Sequence, residues 1–117
     1  MTRICKEFRF SAAHQLLCLP PDHKCHRLHG HSYRVTVELE GEPDARGMVM
    51  DFEEISKAWA PLHAMLDHNF LNEVEGLEMP TSECLAEWIR DGLVDALPLL
   101  SRVRVYESDS SWAEVTR

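Results

Sequence analysis

Strict alternation of polar and apolar side chains over nine residues constrains this fold more than any other feature of the sequence. From Ser32 to Glu40 every second residue is apolar: Tyr33, Val35, Val37 and Leu39. A period of two is typical of a β-strand with one buried face. If this strand begins at His29, then His29 and His31 lie on the buried face with Tyr33, where two imidazoles can converge on one metal ion.

The rest of the chain predicts three further strands and two helices. Residues 4–12 read as a first strand, and His14 keeps its apolar parity. Asp51 and Glu54 form a capping box at the start of a helix over residues 52 to about 66, which Pro61 is expected to kink or break. Thr81 or Ser82 caps a second helix whose apolar side runs to Leu97 and which Pro98 ends. Residues 102–108 and 112–116 read as the last strands.

This order predicts one domain over residues 1–117 of the α+β class. Two strands, two helices and two strands (ββααββ) are expected to form an antiparallel sheet covered by helices on one face. The net charge of −8 argues against a nucleic-acid-binding surface. We expect no signal peptide, no membrane span and a cytoplasmic location, where the four cysteines are reduced thiols.

Three histidines are the best candidates for a catalytic zinc site. Three protein ligands with an open fourth position are the usual arrangement, and His14, His29 and His31 fall at the joining ends of two strands that could pair. An alternative set uses Cys25, His23 or His26 and would close the site into a structural one. His14 alone could also be a polar residue that closes a strand.

Other residues could supply acid–base chemistry or bind a ligand. A thiol near a divalent cation and near Lys24 or Arg27 is expected to be partly thiolate at neutral pH, so Cys25 is a candidate base or nucleophile. Asp67 could orient the imidazole of His68, although the sequence alone favours the simpler interpretation, a solvated helix end. Glu107 continues the buried parity of its strand and needs a hydrogen-bonding partner, unless the parity slips and the side chain faces water.

Several short motifs in one order carry a resemblance to a known family. They are Phe10-Ser11-Ala12-Ala13-His14, Cys25-x-x-x-His29-Gly30-His31, Gly47-Met48-Val49-Met50-Asp51-Phe52, Leu66-Asp67-His68, Pro80-Thr81-Ser82-Glu83 and the late Glu107. The set resembles the 6-pyruvoyl-tetrahydropterin synthase family, and the spacing of Cys25 from His29 looks like that of its bacterial 6-carboxytetrahydropterin synthases.

The resemblance implies the tunnelling fold, in which subunits join into an oligomeric barrel, a trimer-based hexamer, with active sites between them. It implies Zn²⁺ on His14, His29 and His31, proton abstraction by Cys25, and proton transfer assisted by Asp67 and His68 from a neighbouring subunit. Glu107 would anchor the pterin ring.

The implied reaction converts 7,8-dihydroneopterin triphosphate to 6-carboxytetrahydropterin, with loss of acetaldehyde and triphosphate, in the queuosine pathway. The alternatives are a 6-pyruvoyl-tetrahydropterin synthase, a folate-type relative, and a pterin-binding module whose zinc is structural.

Overall fold

A four-stranded antiparallel sheet with consecutive strands adjacent forms the framework of the computed structural model, which describes residues 1–117. The elements in chain order are β1 (Thr2–His14), β2 (His29–Gly41), α1 (Phe52–Leu66), α2 (Ser82–Leu93), β3 (Leu100–Ser108) and β4 (Ser111–Thr116). This is the predicted ββααββ order. Short 3-10 turns lie at Lys24–His26 and Leu71–Glu73.

The long β1–β2 pair fixes where the three candidate histidines stand. The two strands pair from Thr2 opposite Gly41 to His14 opposite His29, without a break in register. β2 begins at His29, which confirms the condition under which His29 and His31 share the buried face with Tyr33. The same register places His31 opposite Ala12, the buried residue two positions before His14 in β1.

One face of the sheet packs against both helices and forms the core. The buried strand residues are those that the alternation predicted, and they pack against the apolar sides of α1 and α2. The sheet contributes Phe10, Tyr33, Val35, Val37, Leu39, Val103 and Val105 to this core. The helices contribute Ile55, Trp59, Leu62, Leu66, Leu85, Ile89 and Leu93. The other face is polar, and there Arg104 stacks 3.8 Å over the ring of Trp112 and pairs with Glu114 at 2.8 Å.

The expected break of the first helix at Pro61 is wrong, and so is the expected end of the second helix. Pro61 does not break α1, which runs without interruption to Leu66; Pro61 lies on the exposed side, where the carbonyl left without a backbone partner can reach water. The second helix ends at Leu93 rather than Leu97. A turn follows, in which the Leu97 N–H still donates to the Leu93 carbonyl at 2.9 Å and keeps Leu97 buried. Neither helix has the length and apolar character needed to cross a membrane.

Candidate metal centre and adjoining clefts

Three imidazoles meet at the joined ends of β1 and β2. His14 ends β1, His29 begins β2 and His31 follows on the same face, because side chains two residues apart in a strand point the same way. One potential ligand atom from each residue lies within 4.8 Å of the other two. The fold thus brings together the three histidines that the sequence singled out as metal ligands.

Backbone carbonyls determine which ring nitrogen of two of these histidines is free. His14 Nδ1 lies 2.8 Å from the Pro80 carbonyl and His29 Nδ1 lies 2.7 Å from the Arg27 carbonyl. A carbonyl only accepts, so both Nδ1 atoms carry a proton, and in the neutral rings both Nε2 atoms carry the lone pair. These two Nε2 atoms face each other at 2.9 Å. Two facing lone pairs repel unless a cation lies between them.

Burial favours the neutral form of two of the three imidazoles, those of His14 and His31. His14 is fully buried, and desolvation lowers its pKa. Desolvation also lowers the pKa of His31, and the nearby Glu107 carboxylate only partly opposes this effect. Tyr33 lies below the cluster with its hydroxyl 3.2 Å from His14 Nδ1, and burial raises the pKa of this phenol. Neutral imidazole is the form that coordinates metal ions, so the surroundings suit a metal centre.

Cys25 lies beside the histidines rather than among them. It sits half-buried in the 3-10 turn and lines a cleft of about 390 Å³, together with Lys24, His29, His31, Glu107, Ser108 and Ser111. The alternative ligands His23 and His26 lie outside the group of residues whose ligand atoms converge, which is His14, His29 and His31. In the loop, His23 Nδ1 accepts the Cys25 N–H at 3.0 Å, and His26 Nδ1 lies 2.9 Å from the Leu19 carbonyl. The geometry therefore leaves the cluster with three imidazoles and a thiol close by.

Glu107 stands where two clefts meet. Its carboxylate is 3.9 Å from His31 Nε2 and its side chain is 25% exposed, so it points toward the histidine cluster, as the buried parity predicted, while part of it remains open to solvent. Besides the cleft of Cys25, it lines a larger one of about 580 Å³, bounded by residues of the β1–β2 loop, by Thr81–Glu83 at the start of α2 and by β4. A planar ligand in the larger cleft could reach the histidine cluster past this carboxylate.

Asp67 and His68 form a fixed pair just beyond α1. Asp67 Oδ2 lies 2.8 Å from His68 Nδ1, and Asp67 Oδ1 accepts the Ser11 N–H at 3.0 Å. The Ser11 hydrogen bond, and after it the His68 hydrogen bond, lower the pKa of Asp67. The two neighbouring side chains can meet because His68 has a φ of 58°, and its own N–H donates to the Ser11 carbonyl. Asp67 is thus anchored to β1 and is not a freely solvated helix end.

Within one chain, His68 does not reach the cleft of Cys25. Its side chain is 81% exposed and lines another cleft of about 550 Å³, which shares only His31 with the cleft of Cys25.

The sequence did not predict the partners that orient the histidine cluster. The carbonyls of Pro80 and Arg27 are backbone atoms without a sequence signal, whereas Tyr33 could have been found from its parity with His31.

The fold and the site together define a class: an α+β protein in which the joined ends of two strands carry a cluster of three histidines that could hold a metal ion. The sequence model of the family described as "6-pyruvoyl tetrahydropterin synthase" matches residues 3–117. The chain belongs to this family, as its motifs predicted.

Individual relatives agree with this assignment. A 6-carboxy-5,6,7,8-tetrahydropterin synthase from Synechocystis sp. is 46% identical over 119 residues, covering 94% of this chain and 89% of that protein. The human 6-pyruvoyl tetrahydrobiopterin synthase is 32% identical, with 93% of this chain and 87% of the human protein covered. The solved structure of the 6-pyruvoyl tetrahydropterin synthase from Caenorhabditis elegans superposes with a TM-score of 0.91 at 27% identity, over 99% of this chain and 95% of that one.

Proposed function

We propose that this protein is a zinc-dependent 6-carboxytetrahydropterin synthase. It converts 7,8-dihydroneopterin triphosphate and one water molecule to 6-carboxy-5,6,7,8-tetrahydropterin, acetaldehyde and triphosphate, and it acts in the cytoplasm in queuosine and 7-deazapurine biosynthesis. The observation that carries this proposal is the similarity to the Synechocystis enzyme over nearly the whole chain, together with a thiol that lines a cleft beside three converging imidazoles.

The residues of the cluster fit a zinc ion. Histidine ligands of zinc commonly donate their second ring N–H to a carbonyl, and His14 and His29 both do so. Their facing Nε2 atoms and the nearby His31 would supply three neutral nitrogen ligands. A zinc ion bound there would act as a Lewis acid on oxygen atoms of the substrate's side chain, which acidifies the neighbouring C–H bond.

The protein's own residues then move protons and hold the substrate. Cys25 removes the acidified proton, and His68, oriented through Nδ1 by Asp67, returns or accepts protons at its other nitrogen. Glu107 accepts hydrogen bonds from the guanidine-like edge of the pterin ring. Lys24 contributes positive charge at the rim of the cleft of Cys25, where the triphosphate leaves.

This assignment of roles requires more than one copy of the chain. Because His68 and Cys25 line different clefts, the His68 that serves one Cys25 would come from a neighbouring subunit of a homo-oligomer, the trimer-based hexamer. Mixing a Cys25→Ala chain with an Asp67→Ala/His68→Ala chain under conditions of subunit exchange should restore part of the activity that each lacks. Absence of recovery in verified mixed oligomers would mean that the residues act within one subunit or not in the same reaction.

The decisive experiment incubates the zinc-loaded protein with 7,8-dihydroneopterin triphosphate and identifies products by mass spectrometry. A 6-carboxylated tetrahydropterin with acetaldehyde supports the proposal, whereas a 6-pyruvoyl product assigns the chain to the other branch of the family. Cys25→Ala should keep zinc and lose turnover, and Cys5→Ala, an exposed thiol on β1, is the matched control. Loss of zinc from Cys25→Ala would instead indicate a structural metal site with Cys25 as a ligand.

A further inference from the structure

The loop between β1 and β2 is closed by hydrogen bonds on both sides of Cys25. The Leu16 N–H donates to the Cys25 carbonyl at 3.0 Å, which joins the two ends of the loop. His23 accepts the Cys25 N–H, and the ring of His26 bonds to the Leu19 carbonyl at 2.9 Å. The His26 contact is the one that reaches across the middle of the loop.

This contact links the walls of the two clefts. Leu16 and Leu19 line the larger cleft, which Glu107 shares, and Cys25 lines the smaller one next to the histidine cluster. Since Leu19 offers a carbonyl, His26 Nδ1 must be the donor. The half-buried His26 therefore holds the loop through a hydrogen bond that it donates to the Leu19 carbonyl.

We propose that His26, which is not part of the histidine cluster, is a positioning residue that fixes the loop carrying Cys25 against the larger cleft. The inference rests on the proposed function, in which the Cys25 sulfur must be aligned with a C–H bond of a ligand held in both clefts. Misplacing a reacting group by about 1 Å can lower a rate by up to about 100-fold. Loss of the His26 contact should therefore reduce kcat by about 10-fold to 100-fold and change KM by less than about threefold.

A matched pair of substitutions tests the contact itself. His26→Leu keeps a side chain of similar size without a donor, and His26→Asn retains an N–H donor at the δ position. We expect the Leu variant to lose kcat and the Asn variant to regain most of it, with wild-type zinc content in both. Hydrogen exchange at the Leu16 amide, which donates to the Cys25 carbonyl, should be about tenfold faster in His26→Leu and close to wild type in His26→Asn.

The outcomes separate this inference from the proposed function. A wild-type protein that turns over no pterin triphosphate contradicts the proposed function, and hydrogen exchange alone then reports whether His26 closes the loop. Unchanged Leu16 exchange in His26→Leu overturns the positioning role, and so does faster exchange with wild-type kcat. Equal losses of kcat in the Leu and Asn variants would mean that the imidazole does something other than donate to Leu19.

Discussion

Replacing His14 by alanine should affect the stability of the metal-free protein far more than replacing His29, although both changes should remove the metal. His14 is fully buried and its Nδ1–H satisfies the carbonyl of Pro80, itself a buried residue. His29 is only half-buried, and its partner, the carbonyl of the exposed Arg27, can be rehydrated when the ring is removed. The two substitutions thus separate the structural role of an imidazole from its role as a ligand.

The magnitude follows from two costs at His14. Truncating a buried side chain of this size costs about 2–5 kcal/mol, depending on how far the cavity collapses. Leaving a buried carbonyl without its donor adds about 1–3 kcal/mol. We expect about 4 kcal/mol for His14→Ala, a large share of the total stability of a small domain, and about 1 kcal/mol or less for His29→Ala.

Urea unfolding at equal protein concentration, with a chelator present throughout, measures both values without the contribution of bound metal. His14→Asn is the control, because its amide can still donate to the Pro80 carbonyl from the δ position while the metal ligand is lost. It should recover about 1–2 kcal/mol relative to His14→Ala. Losses for His14→Ala and His29→Ala that agree within about 1 kcal/mol would refute the reasoning, because burial and the Pro80 contact would then contribute nothing.

Three further predictions follow from single contacts. The hydrogen bond from the Ser11 N–H lowers the pKa of Asp67, so the ionised carboxylate stabilises the folded state at neutral pH and this stabilisation is lost as pH falls below about 4. The unfolding free energy measured from pH 7 to 3 should therefore fall less steeply in Asp67→Asn than in the wild type. Pro61→Ala should raise the unfolding free energy in urea by about 1 kcal/mol, because the Lys57 carbonyl regains an N–H partner inside α1; no gain would show that the helix has already relaxed around the proline. Glu107→Gln should raise KM at least about tenfold at unchanged zinc content, and an unchanged KM would remove Glu107 from ligand binding.

The strands and the histidine cluster could be predicted from the sequence because one periodicity determines both. Alternation in β2 fixes which side chains face the core, and extending it back to His29 puts two imidazoles on that face. His14 joins them because β1 keeps its parity to its last residue and pairs with β2 in unbroken register. The same parity was enough to predict that Glu107 lies on this face, where its carboxylate points toward His31.

Helix interruptions were harder to predict because they depend on surroundings that the sequence does not display. A proline inside a helix removes one backbone hydrogen bond and crowds the preceding turn. Here α1 is continuous, and Trp59 and Leu62, which flank Pro61 in the sequence, are both buried in the core. At the end of α2, Leu97 is buried by a turn instead of a further helical turn, so the apolar pattern continued beyond the helix itself. An apolar period reports which residues are buried, and only indirectly which backbone conformation buries them.

The orientation of His68 is the feature that the sequence could least reveal, and it bears on how the site is assembled. A φ of 58° is uncommon for a residue other than glycine and costs energy that the surrounding contacts must offset. Here the backbone of Ser11 supplies those contacts, by donating to Asp67 and accepting from His68. These contacts hold the His68 imidazole in a fixed orientation while its side chain remains 81% exposed. A side chain held in this way, outside the cleft of its own Cys25, is suited to act on a ligand bound by another copy of the chain, which is the arrangement that the complementation experiment tests.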